Sequence, residues 1–200
     1  MRNIASLFIL VAAVLSFNSA QAFVSPVSVS VIPPVQFPPN DFTVTGVRAS
    51  VGWGQHRNMY GIDLGLLGNI TEQDFTGIAV SGIFNNTRGT TNIIGLQFAG
   101  ITNINTNKTR VIGLQAALGA NYQAAASTVA GVQLALLANV APFTDIYGLQ
   151  LGLYNRAKEV YGFQIGLVNI ADNLHGIQIG LANFNHKGPF AISPIINVGF

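Results

Sequence analysis

Three imidazoles, His56, His175 and His186, are the first side chains to examine for metal or proton-transfer chemistry. None has a carboxylate or a second histidine at the spacing a metal site needs. His56 and His186 fall in predicted turns and His175 precedes a repeat glycine, so all three read as solvated turn or interface residues. The serines lack the strand-turn-helix setting of an activated nucleophile, and no two carboxylates are placed as an acid–base pair. GIDLGLLG (61–68) superficially resembles a nucleotide loop, yet it lies inside a repeat frame and reads as structural glycine. Cysteine is absent, which removes thiol chemistry, Cys-based zinc sites, disulfides and lipid attachment at an N-terminal cysteine. The expectation is a non-enzymatic protein with no catalytic, cofactor-binding or metal-binding residue.

Two charged residues stand out because they sit within strand patterns. Arg48 and Asp63 both fall on a face otherwise made of small residues, and WGQHRNMY (53–60) between them reads as a hairpin that sets them nearly opposite. An unpaired charge on an interior face is costly. The expectation is an interior ion pair between the first two strands, the alternative being that both reach water in a hydrated lumen.

The elements that must carry these residues are repeats. Glycines recur at Gly61, Gly77, Gly95, Gly113, Gly131, Gly148, Gly162 and Gly176, spaced 16, 18, 18, 18, 17, 14 and 14. Two residues after each stand Asp63, Ala79, Gln97, Gln115, Gln133, Gln150, Gln164 and Gln178. An asparagine follows the glycine at plus eight (Asn69, Asn85, Asn103, Asn121, Asn139) or plus seven (Asn155, Asn169, Asn183). The last three units read G-h-Q-h-G-h-x-N, with h apolar, and the earlier five carry an extra residue before the asparagine and match more loosely. Inside a unit the period is two: Tyr147, Leu149, Leu151 and Leu153 share one face, Gly148, Gln150 and Gly152 the other. That alternation is a strand signature. The six glutamines form a structural repeat layer. The sequons at Asn69, Asn85 and Asn107 read as ordinary Asn/Thr-rich turns.

Composition bounds the partners. Charged residues are 8% of the chain, against about 25% in ordinary soluble domains, and they cluster between the units. With Arg2 set aside the chain is close to neutral, so nucleic-acid binding has no support. Residues 1–22 carry a cationic start, an apolar run over 4–17 and Ala20-Gln21-Ala22, the pattern of a cleavable export signal. Residues 23–42 are rich in proline and read as an arm that cannot be helix or central strand, leaving 43–200 as the β-repeat domain.

Strands of this length and alternation, with TVTGVRASVGWG (43–54) before them and PFAISPIINVGF (189–200) after, suit a small antiparallel transmembrane β-barrel of about ten strands. Its aliphatic face would meet outer-membrane lipid. The terminal strand ending at Phe200 resembles the closing strand that engages barrel-assembly machinery. The alternative is a parallel β-solenoid, in which each unit makes one coil and identical residues stack into ladders. The one-directional asparagines favour the solenoid; the drift of spacing from 18 to 14 favours the barrel. The barrel is the leading expectation, with a structural or surface-exposed role. The alternative functions are a surface solenoid whose Gln/Asn face recognises a polymer or protein partner, and a small pore.

GFQIGLVNIADNLHGIQIGLANFNHKGPF (162–190) resembles the units of the bacterial surface-repeat-containing proteins, which read like GVQIGLVN and close with a GL-x-NF segment. The resemblance covers roughly residues 145–200. It implies an outer-membrane or cell-surface location in a Gram-negative bacterium, and neither a catalytic residue nor a defined activity.

Overall fold

A computed structural model describes residues 23–200 of the chain; the export signal read over 1–22 lies outside the described residues. The strands are β1 (Val24–Ile32), β2 (Val35–Phe37), β3 (Thr43–Ser50), β4 (Trp53–His56), β5 (Asn58–Gly65), β6 (Gly68–Thr71), β7 (Phe75–Ser81) and β8 (Phe84–Thr87). They continue as β9 (Thr91–Ala99), β10 (Thr102–Asn105), β11 (Thr109–Ala117), β12 (Ala120–Gln123), β13 (Thr128–Ala135), β14 (Ala138–Leu151), β15 (Tyr154–Ile165), β16 (Val168–Asn185) and β17 (Ile192–Gly199).

Successive units pair in parallel and in register. Gly113 lies beside Gly95 and Gly131, Gln115 beside Gln97 and Gln133, and Asn121 beside Asn103 and Asn139. This is a parallel β-solenoid of about nine turns, not the antiparallel barrel that the alternation suggested. The period of two is common to both architectures; what separates them is strand direction. An asparagine at a fixed offset on one side of every glycine stays in line only if all units run the same way.

The drift in spacing is absorbed at the corners. Between Gln123 and Thr128 an 18-residue coil has a four-residue corner, whereas in β15 Ala157 is joined to Glu159 through Lys158 alone. The register shift between Ala141 and Asp145 marks this deletion. The stacked columns continue through it, so coil length changes without disturbing the interior.

Four interior columns run along the axis. The first is aliphatic and aromatic: Val44, Met59, Phe75, Ile93, Val111, Val129, Ile146, Val160 and Leu174, all at most 1% exposed. The second holds the glutamines and the third the asparagines. The fourth begins at His56 and passes through Thr71, Thr87, Asn105, Gln123, Ala141, Ala157 and Ala171. The repeat glycines make a further column that accepts no side chain. A Cβ on Gly131, whose φ is +144°, would lie 2.0 Å from the Gly113 carbonyl oxygen. Glycine is required there by backbone conformation and by close approach together.

The proline-rich arm is part of the solenoid. β1 pairs in parallel with β3, with a register shift at Pro26, so the expected boundary at 42/43 divides nothing in the sheet. Pro26 occupies the irregular position where a missing N–H is tolerated. β2 folds back antiparallel on β1, and at the other end β17 folds antiparallel on β16. The C-terminal end of the parallel stack is therefore covered by β17 and the second half of β1 by β2, which blunts exposed strand edges. β17 is such an end cap rather than the closing strand of a barrel, and the reason to invoke barrel-assembly machinery goes with the barrel.

Candidate functional site

The glutamine column is a continuous chain of buried amides. Nε2 of Gln115, Gln133, Gln150, Gln164 and Gln178 each donates to Oε1 of the glutamine one coil earlier, at 2.7–3.0 Å. The asparagine ladder runs the other way: Nδ2 of Asn69 donates to Asn85, and so on through Asn169 to Asn183, at 2.8–3.0 Å. The second amide proton of each asparagine fixes the orientation. Asn121 also donates to Leu134 O at 2.8 Å and Asn139 to Leu151 O at 3.0 Å. A flipped amide would set oxygen against oxygen. Asn69 Oδ1 and Gln178 Oε1, the open ends of the two ladders, have no donor among the described groups.

From Gln115 to Gln178 every ladder glutamine is fully buried. They fill the interior, leaving no lumen for a pore, and they cannot be the recognition surface of a Gln/Asn-faced binding module. Asn69 and Asn85 are likewise interior, which removes two of the three sequons from solvent.

Arg48 and Asp63 occupy the glutamine column before Gln97, with Ala79 between. They are neighbours on adjacent parallel coils, so the hairpin expected between them is replaced by a stacking step. Nε of Arg48 donates to Asp63 Oδ1 at 2.7 Å and Nη2 to Oδ2 at 2.5 Å. Nη1 donates to Ile70 O at 2.9 Å. Both residues are at most 1% exposed, so the alternative of a hydrated lumen falls away.

His56 is the residue that sequence reasoning misplaced. It is fully buried rather than in a solvated turn. Its Nδ1 lies 3.3 Å from Arg48 Nη1, which has only protons to offer, so Nδ1 accepts. Nε2 therefore carries the proton and donates to Pro38 O at 3.1 Å. Burial, and then the Arg48 charge, lower its pKa to about 4. Ser28 Oγ is 3.4 Å from Nε2, but an Nε2 that already bears a proton cannot take one from serine. This cluster closes the N-terminal end of the interior and gives no nucleophile. The signal was present: aligned with GNIT, FNNT and TNIN, the segment WGQH puts His56 in the fourth interior column.

The outer surface is where the chain departs from an ordinary soluble domain. Residues one, three and five places after each repeat glycine point outward and are aliphatic or aromatic through most coils. Leu64, Leu66, Val80, Phe98, Leu118, Leu136, Leu151, Leu153, Leu167, Ile179 and Leu181 are all exposed. From Val80 onward they line a shallow groove of about 1110 Å³ whose lining includes no charged residue and one hydroxyl, Ser81. Exposed apolar patches this continuous mark interaction sites.

Charges gather along the corner before most of the repeat glycines. Arg88 pairs with Glu72 at 3.5 Å, Arg156 with Asp172 at 2.8 Å and Lys158 with Asp145 at 3.4 Å. Between this edge and the aliphatic face, Tyr147, Tyr161 and His175 stack with ring centroids 4.7 and 4.5 Å apart. Among the described residues no three potential metal ligands gather. Comparison with protein-family models, curated proteins and solved structures found no match to the chain.

Proposed function

We propose that this protein is a non-catalytic binding module of the Gram-negative cell envelope, a solenoid that holds one aliphatic face toward an apolar partner. The observation that carries this reading is the continuous uncharged outer face across the coils. The interior ladders support it, because they hold the coils in register without using this face for folding. The export-signal pattern read in the sequence of residues 1–22 and the resemblance to surface-repeat proteins support the envelope location. The buried Ser28–His56–Arg48 cluster supports the non-enzymatic part, since its one imidazole has both nitrogens committed.

The test is fractionation of cells producing the whole chain or the same chain with Leu118→Glu and Leu136→Glu. The unsubstituted protein is expected in the envelope fraction and released by urea. The variant is expected free in the periplasm or medium. Equal distribution of the two proteins would overturn the reading.

A further inference from the structure

We infer that the aliphatic face docks on the surface of a lipid bilayer, so that the solenoid lies in the plane of a membrane without crossing it; this rests on the face-binding reading above. The stack β1, β3, β5, β7, β9, β11, β13, β14, β15, β16 and β17 advances about 4.8 Å per step, roughly 48 Å in all. Five residues of strand across it give a face of roughly 800 Å². That area would also serve one side of a protein dimer, so area alone does not choose the occupant.

Chemistry does. A protein interface of that size carries about one hydrogen bond per 100–200 Å². The side chains of this face offer almost none, because Val80, Phe98, Leu118, Leu136, Leu153 and Leu181 are all hydrocarbon. The backbone beneath is consumed by the parallel ladders along the axis, which meets the requirement that backbone polar groups in contact with lipid be paired.

The border of the face is graded as an interfacial protein's would be. Tyr60, Tyr147 and Tyr161 stand one residue before the glycine, next to the aliphatic columns and half exposed. Tyr161 directs its hydroxyl to Glu159 at 3.2 Å, toward the charged edge. Tyrosine rings with one apolar side and one wet end concentrate at the headgroup level. The ion-paired corner lies beyond them, in water. An apolar face of this type sinks about 5–10 Å into the headgroup and acyl boundary.

Over residues 23–200 eight cations face seven carboxylates, so attraction to anionic headgroups contributes little. Binding is by hydrocarbon and independent of lipid charge.

The experiment is flotation of the purified protein with phosphatidylcholine vesicles, with and without phosphatidylglycerol. It is expected to float with both and to stay bound in high salt. Leu118→Glu, Leu136→Glu and Leu181→Glu combined replace side chains that are 67%, 64% and 72% exposed. They should lower the partition coefficient about a hundredfold. Lys108→Gln with Arg110→Gln on the charged edge should leave it unchanged. Independently of the triple variant's fold, a tryptophan introduced by Leu136→Trp should be quenched by phosphatidylcholine brominated on its acyl chains.

Flotation that needs phosphatidylglycerol and is reversed by salt would overturn the inference, as would an unquenched Leu136→Trp or equal flotation of the triple variant. A protein that does not float but forms a dimer dissociated by the triple substitution would replace lipid by a second copy while keeping the face-binding reading. A monomer that binds no vesicles and behaves identically with and without the substitutions would remove both.

Discussion

Gln164 donates from Nε2 to Oε1 of Gln150 at 2.7 Å, one coil back along the axis, and both are fully buried. Close by, Asn155 donates one coil forward to Asn169 at 2.8 Å. The two ladders therefore point their amides in opposite directions through the same interior. Aligned amides in one ladder reinforce each other, and a second ladder of opposite sense offsets the dipole that the first accumulates. A core of amides is tolerable because each is paired within its ladder, with only Asn69 Oδ1 and Gln178 Oε1 open at the ends; an unpaired amide in the middle is a buried, desolvated polar group.

Gln133→Met tests that dependence. It removes the acceptor of Gln150 and the donor to Gln115 with little change in volume. The expected loss is about 1–3 kcal/mol for the groups left unpaired, read from urea unfolding. Combining it with Gln150→Met should cost less than the sum of the two single changes. Strict additivity would show that the ladder is not acting as a chain.

Gly131→Ala puts a Cβ 2.0 Å from Gly113 O at a φ of +144°. The expected loss exceeds about 3 kcal/mol, since left-handed strain and a backbone clash act together. Gly152→Ala is the comparison. Its Cβ would lie 2.9 Å from Ala135 O, and the preceding coil already carries alanine in that column. Thermal unfolding should show a far smaller drop for Gly152→Ala than for Gly131→Ala.

The columns were legible in the sequence and the direction of the strands was not. Gly113, Gln115 and Asn121 can be aligned with Gly131, Gln133 and Asn139 by eye, and the inward placement of Gln115 with the outward placement of Leu114 follows from the period of two. Parallel and antiparallel stacking share that period. The deciding clue, asparagine always after glycine, competed with the shrinking spacing, and the spacing misled because corners such as 124–127 can be deleted without disturbing a column. His56 was lost for a related reason. Gly54 stands where later coils have asparagine, so the segment does not resemble a repeat, and the polar residues around His56 read as a turn. The pairing of the 23–42 arm with β3 is not legible either, because a proline-rich segment carries no repeat pattern and a bulge at Pro26 lets it join the sheet.

Arg48→Met leaves Asp63 as a buried carboxylate without its bidentate partner, and Asp63→Leu strands the guanidinium. Each single substitution is expected to cost about 3–5 kcal/mol, and the double variant less than either. A cycle of chemical denaturation measurements over the four proteins checks this. Equal and additive losses would mean that the pair contributes by packing alone.

His56 makes stability depend on pH. Its pKa is lowered from 6.5 to about 4 in the folded protein, so between those values the unfolded chain binds the proton and the folded chain does not. Stability is then full above about pH 6.5 and falls as the pH drops toward 4, by about 3 kcal/mol in total from this one group. Below about pH 4 the folded state is protonated too, and the contribution levels off. His56→Gln keeps an amide that can donate to Pro38 O and accept from Arg48, and it does not titrate. Unfolding free energies measured across pH 4–7 should slope upward for the unsubstituted protein and run flatter for His56→Gln. Parallel slopes in the two proteins would assign the pH dependence to groups other than this buried imidazole.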